Sequence, residues 1–351
     1  MSFITKPKGA HPGLPRNDLG LTYRAYEGGM STLCAGCGHD SVTAAMIQAC
    51  FELSLSPQSV VKLSGIGCSS KSTAYFISGA HGFNSVHGRM PAIASGAGAA
   101  NRALNIIGVS GDGDSLSIGL GQLGHVVRRN LNMLYMLENN GVYGLTKGQF
   151  SASADIGSKS KKGESNEFGP IDPVLLALSL GAGFVARSFS GDKAQLVPLI
   201  KAALAHPGFA LIDVISPCVT FNDHDGSTKS YSYMKDHDEP IHEISFVPSF
   251  DEIAADYEPG SAYDVRMHDG STLRLRKIDD SYDPRNKVAA LTRIAEATGR
   301  DEVLTGVLYV APAAPTFLET LNLTEAPLGT LPQAITRPPR EVLAKIMEEY
   351  R

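Results

Sequence analysis

Four of the five cysteines occupy positions that suit metal binding. Cys34 and Cys37 form a Cys-x-x-Cys pair, and Cys68 and Cys218 each follow a predicted strand. Four thiolates suit either tetrahedral Zn²⁺ or a [4Fe–4S] cluster, and composition leaves both open. Zinc ribbons usually pair two Cys-x-x-Cys units, and a thioredoxin-type redox pair would leave two cysteines unexplained. The fifth, Cys50, has apolar neighbours on a predicted helix and is expected to be a small buried side chain.

A second group of polar residues follows two successive predicted strands. Gly111-Asp112-Gly113-Asp114 follows the first strand and precedes a helix, and Asn139-Asn140 ends the next strand. Mg²⁺ prefers oxygen ligands, and a glycine-rich turn at a helix amino terminus offers backbone N–H groups to phosphate. One helix and one strand separate the two motifs, enough to bring them side by side. The pair predicts a site for a diphosphate held through Mg²⁺, whereas Gly-Asp-Gly alone would indicate an ordinary turn.

The segments around these motifs alternate between strand-like and helix-like patterns. This alternation predicts an α/β fold with a doubly wound parallel sheet. In such sheets, ligands bind at the carboxyl ends of strands, where these motifs fall. Strands are predicted at 60–64, 105–110, 131–137, 184–187 and 210–215, and helices at 41–47, 117–129, 173–180 and 194–205.

Three regions are expected along the chain. An irregular polar arm (1–30) precedes the diphosphate-binding domain with the cysteine site (31–240), and a small α+β extension for subunit contacts follows (241–351). The extension is predicted to contain a hairpin over 264–275, whose Asp269-Gly270 turn favours positive φ, and a helix over 289–298. The loop over 147–169 is long for a compact domain, which indicates a functional loop or a partner contact.

Composition narrows the classes of partner. The 351 residues carry a net charge of −5, and 43% are hydrophobic. A core of good size is therefore expected, and no basic footprint indicates nucleic acid or an anionic membrane surface. The polar amino terminus lacks the apolar region of a signal peptide, and no stretch reaches the roughly 18 apolar residues of a membrane span. We expect a cytoplasmic protein.

The motifs resemble, in their order along the chain, those of β subunits of 2-oxoacid:ferredoxin oxidoreductases. The resemblance covers residues 25–235 strongly and 245–315 more loosely. It implies the thiamine-diphosphate-binding fold, with Mg²⁺ and one [4Fe–4S] cluster as further cofactors. The matching segments are CAGCGH (34–39), GIGCS (65–69), HGR (87–89), NGVYGLTKGQ (140–149) and SPCVTFN (216–222).

The resemblance implies a role for each matching position. The cluster ligands would be Cys34, Cys37, Cys68 and Cys218. The Mg²⁺ ligands would be Asp112, Asn140 and the carbonyl of Val142, with Asn139 as the alternative to Asn140. Thiamine diphosphate would be approached by Ile66, Gly67, Cys68, Ser69 and His87, and its diphosphate would be lined by Gly113, Asp114, Gly144 and Leu145.

The implied activity is coenzyme A-dependent oxidative decarboxylation of a 2-oxoacid, with electrons leaving through the cluster. His87 would orient phosphate or assist proton transfer. Lys71 and Lys147 would bind the distal carboxylate of 2-oxoglutarate, since a buried unpaired charge is costly. The Leu-Thr-Lys-Gly-Gln segment resembles the branch that uses 2-oxoglutarate, giving succinyl-CoA and CO₂ or the reverse. The alternatives are two surface lysines, and an enzyme that uses pyruvate or many 2-oxoacids.

The family also implies partners. A larger α subunit would carry the pyrimidine-binding domain, in an (αβ)₂ assembly, and ferredoxin would accept the electrons. The lysines at 159, 161 and 162 form a candidate docking patch for acidic ferredoxin, with a solvated basic loop as the alternative. A metal-binding electron-transfer subunit without thiamine chemistry is the competing interpretation of the whole chain.

Overall fold

The protein is described from a computed structural model, in which residues 11–160, 162–224, 226–241, 262–266, 272–276, 282–300 and 302–351 are defined. The helices are α1 (Gly38–Glu52), α2 (Cys68–Lys71), α3 (Met90–Ala100), α4 (Leu120–Arg129), α5 (Pro173–Leu180), α6 (Lys193–Ala205), α7 (Tyr231–His237), α8 (Lys287–Gly299), α9 (Phe317–Thr320), α10 (Gln333–Thr336) and α11 (Arg340–Glu349). A π-helical turn (Gly113–Ile118) follows the third strand. The strands are β1 (Val60–Ser64), β2 (His81–Asn84), β3 (Asn105–Gly111), β4 (Met133–Asn139), β5 (Val142–Tyr143), β6 (Gln149–Phe150), β7 (Phe184–Phe189), β8 (Phe209–Ile215), β9 (Asp238–Pro240), β10 (Ala262–Arg266), β11 (Thr272–Arg276) and β12 (Val303–Val310).

Within the described residues, eight strands form one sheet in the order β2-β1-β3-β4-β8-β7-β12-β9. All neighbouring pairs are parallel except β7 and β12. The chain passes from β1 outward to β2 and then returns to the other side of β1 to form β3. The order of strands therefore reverses between β1 and β3, and the carboxyl ends of these two strands border a topological switch point, where open α/β sheets bind ligands.

Helices cover both faces of the sheet, as expected for a doubly wound fold. One apolar cluster packs α1 and α6 against the sheet, and another packs α3, α4, α5 and α8 against the opposite face. Every residue of β4 and β8 is buried. Continuous apolar runs are typical of central parallel strands that are covered on both sides.

Local sequence explains why the predicted elements form where they do. In α5, the carboxylate of Asp172 accepts hydrogen bonds from the N–H groups of Val174 and Leu175, Pro173 occupies the first turn, and Gly181 ends the helix at φ +89°. Because all three signals are readable in the sequence, the predicted bounds of this helix, 173–180, are those observed. The strand predicted at 60–64 also has the observed bounds.

Other elements differ from the prediction. The helix predicted over 117–129 begins at Leu120, because the preceding residues form the π-helical turn. Strand β2 and helix α3 were not predicted, since β2 is short and exposed and α3 is rich in alanine and glycine. The loop predicted over 147–169 contains β6, which pairs with β5. Lys161 lies outside the described residues.

The carboxyl-terminal region contributes to the main sheet. Strand β12 pairs antiparallel with β7, and α8 packs its apolar face into the same core. Strands β10 and β11 pair antiparallel, as the predicted hairpin requires, although its Asp269-Gly270 turn lies outside the described residues. The predicted role of this region in subunit contacts stays a prediction. Among the helices that the structure describes, none has the length and apolar character needed to cross a membrane.

Candidate active site

A cleft opens at the carboxyl ends of β1, β3 and β4, beside the switch point. Its empty volume is about 420 Å³, part of it open to solvent. The cleft brings together the residues that the sequence assigns to thiamine diphosphate and Mg²⁺. These are Ile66, Gly67, Cys68, Ser69, His87, Asp112, Gly113, Asp114, Asn140, Val142, Gly144 and Leu145.

Asp112 follows β3 directly and is almost fully buried. Its Oδ2 accepts hydrogen bonds from the backbone N–H of Gly141 (2.9 Å) and from the hydroxyls of Ser151 and Ser153. Burial raises the pKa of this carboxyl, and the hydroxyl donors oppose the shift because they stabilise the charged form. A carboxylate oriented in this way is a suitable ligand for a hard divalent cation.

The two asparagines at the end of β4 have different surroundings. The side chain of Asn139 is engaged inside the sheet, where Nδ2 donates to Oδ1 of Asp213 (3.0 Å) and Oδ1 accepts from the hydroxyl of Ser153 (2.8 Å). Asn140 lines the cleft, and its Oδ1 accepts from the N–H of Val142 (3.1 Å). These contacts favour Asn140 over Asn139 as the Mg²⁺ ligand, an assignment that stays a prediction.

Gly141 allows the chain to turn immediately after Asn140. Its φ is +75°, and a Cβ at this position would lie 2.7 Å from Nδ2 of Asn222. That same Nδ2 donates to the carbonyl of Asn140 (2.8 Å). A residue other than glycine would therefore be strained and would also displace the side chain that holds the Asn140 backbone.

The carboxylate of Asp114 bonds to the loops around the cleft. Its Oδ1 accepts from the N–H groups of Gly88 (2.9 Å) and Ile66 (3.3 Å). Nδ1 of His87 lies 3.2 Å from the same oxygen. If Nδ1 carries the proton, Nε2 is the ring nitrogen left for a ligand. Asp114 thus supports the His87 loop and also lines the cleft, and its contact with the diphosphate, implied by the family resemblance, stays a prediction.

The four thiols predicted to bind metal come from three segments beside the cleft. Cys34 and Cys37 precede α1, Cys68 begins α2, and Cys218 follows β8. Cys37, Cys68 and Cys218 are close enough to affect one another. After burial itself, the charges of Cys68 and Cys218 raise the pKa of Cys37, and the charge of Cys218 raises the pKa of Cys68. The N–H of Gly38 donates to the carbonyl of residue 217 (3.3 Å), which ties the first segment to the last.

Hydrogen-bond donors approach two of the sulfur atoms from a single turn. The hydroxyl of Thr220 lies 3.4 Å from Sγ of Cys34. The backbone N–H groups of Thr220 and Phe221 stabilise the thiolate of Cys218, although burial outweighs them and raises the pKa of that thiol. Donors at sulfur are expected at metal-bound thiolates, whose negative charge they stabilise.

Cys37 is buried and Cys68 is half-buried, and each lies next to a group that favours its thiolate form. Burial raises the pKa of Cys37 to about 12 against the opposing N–H of His39. Burial likewise raises the pKa of Cys68, and the ammonium of Lys71 opposes this. Without metal these thiols stay protonated at neutral pH, so metal binding would release protons.

The donor set of four thiols fits a cluster in its chemistry. Among the residues that the structure describes, no three His, Cys, Asp or Glu side chains are arranged to hold one metal ion. Four thiolates are the ligand set of a [4Fe–4S] cluster and also of a tetrahedral Zn²⁺ site. The cluster itself stays a prediction.

Gly144 lies between the cleft and the thiols. It lines the cleft, and a Cβ at this position would lie 3.5 Å from Sγ of Cys68 and 3.6 Å from Sγ of Cys218. Cys68 itself also lines the cleft. The site predicted for thiamine diphosphate and the site predicted for the cluster therefore share a wall.

A buried polar pair, His39 and Glu138, lies beside the thiols, and His39 also lines the cleft. Nδ1 of His39 is 2.7 Å from the hydroxyl of Ser216 and 3.5 Å from Oε2 of Glu138, which is fully buried. Burial lowers the pKa of His39 to about 4 and raises that of Glu138 well above its usual value, so burial favours the neutral form of each group. In the sequence, His39 is marked by its position two residues after Cys37, and Glu138 by its position directly before Asn139.

The two lysines predicted to bind substrate lie on loops of the cleft but do not line it. Lys71 is the last residue of α2, and its side chain is half-buried near Cys68. Lys147 is exposed in the loop between β5 and β6. Its φ is +77°, a left-handed conformation that is rare for a residue with a side chain, and Gly148 follows at φ +93°.

Comparison with known families agrees with this geometry. Residues 65–214 match the family described as the C-terminal TPP-binding domain of thiamine pyrophosphate enzymes. Residues 272–326 match the family described as the C-terminal part of the pyruvate ferredoxin oxidoreductase beta subunit. The first match spans β3 and β4, which border the cleft.

Individual proteins are similar over larger parts of the chain. The 2-oxoacid:ferredoxin oxidoreductase subunit beta of Saccharolobus solfataricus is 42% identical over 63% of this chain and 70% of its own length. Subunit beta of 2-oxoacid:ferredoxin oxidoreductase 1 of Aeropyrum pernix is 38% identical over 83% and 81%. The solved 2-oxoglutarate:ferredoxin oxidoreductase of Magnetococcus marinus, with 2-oxoglutarate, coenzyme A and succinyl-CoA bound, superposes with a TM-score of 0.72 at 28% identity, covering 93% of this chain and 96% of the other.

Proposed function

Because the chain belongs to the family of 2-oxoacid:ferredoxin oxidoreductase β subunits, we propose that it is the half of such an enzyme that binds thiamine diphosphate and passes electrons to a [4Fe–4S] cluster. The proposed reaction is the oxidative decarboxylation of 2-oxoglutarate with coenzyme A, giving succinyl-CoA and CO₂, or its reverse. Ferredoxin is the proposed electron acceptor.

The observation that carries this proposal is the shared wall at Gly144. Thiamine diphosphate, when bound, supplies an electron sink for the carbon that loses CO₂. Two of the four thiols lie within 4 Å of the Cβ position of Gly144, which lines the cleft. A cluster on these thiols would be next to the cofactor, as direct electron transfer requires.

The chain's own residues have separate tasks at this site. Asp112, Asn140 and the carbonyl of Val142 would hold Mg²⁺, and the turn at Gly113 would offer backbone N–H groups to the diphosphate. Asp114 orients His87, which would hold a phosphate oxygen or move a proton at Nε2.

Lys147 is the strongest candidate for substrate selection, because its backbone conformation is costly. A left-handed conformation costs roughly 1–2 kcal/mol for a residue with a Cβ, and such strain is concentrated at functional sites. Glycine at this position would relieve the strain, yet lysine is present. We propose that the ammonium of Lys147 binds the distal carboxylate of 2-oxoglutarate.

The Lys147→Gly variant should therefore be at least as stable as the wild type, but it should bind 2-oxoglutarate more weakly. The loss of one charge-assisted hydrogen bond, about 1.5–3 kcal/mol, should raise KM for 2-oxoglutarate roughly 10- to 150-fold. Steady-state kinetics with 2-oxoglutarate and pyruvate, together with thermal unfolding, would measure both effects. Asn322→Gly is the matched control, because Asn322 is exposed at φ +49° and lies outside the cleft. An unchanged KM and unchanged preference over pyruvate would contradict the substrate assignment.

The proposal requires a partner. The part of the chain that the structure describes holds one domain of the thiamine pyrophosphate enzyme family, and a larger α subunit would supply the domain for the pyrimidine ring, in an (αβ)₂ assembly. Ferredoxin would approach the exposed lysines at 159 and 162 through opposite charge. Reduced thiols at the metal site suit a cytoplasmic enzyme.

Anaerobic purification of the chain together with its α subunit would test the function. The complex should contain about four iron and four sulfide per αβ unit, and also thiamine diphosphate and Mg²⁺. Adding 2-oxoglutarate and coenzyme A should produce an EPR signal from a reduced cluster or a radical. Zinc in place of iron, or absence of thiamine diphosphate, would favour the electron-transfer subunit without thiamine chemistry.

A further inference from the structure

One oxygen of Asp112 receives an unusual concentration of hydrogen bonds. Oδ2 accepts from the N–H of Gly141 at 2.9 Å, from the hydroxyl of Ser153 at 2.6 Å, and from the hydroxyl of Ser151 at a shorter distance. Both serines are buried, and their own hydroxyl oxygens are 3.1 Å apart. Three donors saturate Oδ2 and fix the plane of the carboxylate, so Oδ1 is the oxygen available to a cation.

The serine hydroxyls are themselves fixed by the surrounding fold. The single proton of the Ser153 hydroxyl is shared between Oδ2 of Asp112 and Oδ1 of Asn139, which lies 2.8 Å away. Nδ2 of Asn139 in turn donates to Oδ1 of Asp213 (3.0 Å). Oδ2 of Asp213 accepts from Nε of Arg187 (2.8 Å). A continuous buried chain of hydrogen bonds therefore runs across β7, β8 and β4 to the carboxylate after β3.

The loop that carries the serines is anchored at the same place. The N–H of Ser151 donates to the carbonyl of Gly141 (3.2 Å), while the N–H of Gly141 donates to Asp112. The N–H of Ala152 donates to the hydroxyl of Ser117, at the end of the π-helical turn (3.1 Å). Residues 151–153 thus pack against Asp112 without lining the cleft.

We propose that Ser151 and Ser153 are positioning residues for the Mg²⁺ site, which hold Asp112 in the orientation that binds the cation. This inference rests on the proposed function, since it assumes that Asp112 is a Mg²⁺ ligand. Groups that orient a metal ligand without touching the metal typically contribute 10- to 100-fold to metal affinity. The serines would therefore set the Mg²⁺ concentration at which thiamine diphosphate stays bound.

The test measures thiamine diphosphate binding to the αβ complex as Mg²⁺ is varied after removal of divalent metal. For Ser151→Ala, and for Ser153→Ala, the half-saturating Mg²⁺ concentration should rise roughly 10- to 100-fold. At saturating Mg²⁺ the bound thiamine diphosphate should return to the wild-type amount. A purely structural defect would lower binding at every Mg²⁺ concentration and would overturn the proposal.

Ser158→Ala is the matched control, because Ser158 belongs to the same loop, is half-buried, and is not one of the serines that bond to Asp112. If Ser151→Ala has the same Mg²⁺ dependence as Ser158→Ala, the inference is wrong.

Ser151→Ala tests the inference even if Ser153→Ala fails to assemble, because only Ser153 also contacts Asn139. A wild-type complex that binds no thiamine diphosphate at any Mg²⁺ concentration would instead refute the proposed function. Iron content, measured on each variant, shows whether the cluster site is intact.

Discussion

The Cys34→Ala variant should assemble with its partner and bind thiamine diphosphate, yet contain little iron and reduce almost no ferredoxin. Cys34 is the exposed member of the four thiols and does not line the cleft, so its removal leaves the core and the cofactor site intact. A cluster that has lost one of its four thiolates is expected to be labile. Iron and sulfide analysis, bound thiamine diphosphate and ferredoxin reduction would be measured on the same preparation.

Cys50→Ala provides the opposite control. Cys50 is fully buried on α1, within the apolar cluster that α1 shares with α6. Its replacement should cost on the order of 1 kcal/mol of stability and leave iron content and ferredoxin reduction unchanged. Full iron in Cys34→Ala, or loss of iron in Cys50→Ala, would show that the ligand assignment is wrong.

The Arg187→Met variant should lose about 3–5 kcal/mol of stability, because it leaves a buried carboxylate without its partner. Nε of Arg187 donates to fully buried Asp213 (2.8 Å), which faces it across β7 and β8, and Nη2 donates to Asp172 (2.7 Å). Asp172 is also the residue that caps α5. The guanidinium therefore joins the sheet to the start of a helix that covers it.

Acid should remove part of the same stabilisation. Burial raises the pKa of Asp172, but the guanidinium of Arg187 outweighs it, so the pKa in the folded state lies below that in the unfolded chain. A carboxyl of this kind contributes its full stability above its unfolded pKa, near 4, and loses it as the pH falls through the folded pKa. The advantage of the wild type over Arg187→Met should therefore shrink at pH values below about 4.

Thermal and denaturant unfolding of the αβ complex across pH would measure both effects. Arg300→Met is the comparison, because the ion pair of Arg300 with Glu302 is on the surface and exposed pairs contribute little. Equal stability of the two variants at pH 7 would contradict the importance assigned to the buried ion pair.

The sequence predicted the candidate site best where residues that can bind a ligand are also residues that mark a turn. The Gly-Asp-Gly-Asp motif and the Asn-Asn pair could be placed at strand ends because glycine and asparagine mark turns and the strands between are apolar. The structure brings both motifs to one cleft. The parallel sheet follows from the alternation of strands and helices, whereas the reversal of strand order involves β2, which was not predicted.

Contacts between distant segments could not be predicted in this way. Ser151 and Ser153 read as ordinary polar residues of a long loop, and only the folded chain shows that they bond to Asp112. The pairing of Arg187 with Asp213 depends on the register between β7 and β8, which a single sequence does not reveal. Glu138 looked like the polar end of a strand, although it is fully buried and burial raises the pKa of its carboxyl.

The distribution of the four thiols along the chain has a consequence for biogenesis. Three of them belong to the first 68 residues, but the fourth follows β8, near residue 218. Strand β8 lies in the middle of the sheet, between β4 and β7. During synthesis from the amino terminus, the nascent polypeptide therefore lacks a complete site for most of its length. We expect iron–sulfur insertion to be a late maturation step that takes place only in polypeptides whose central sheet is complete.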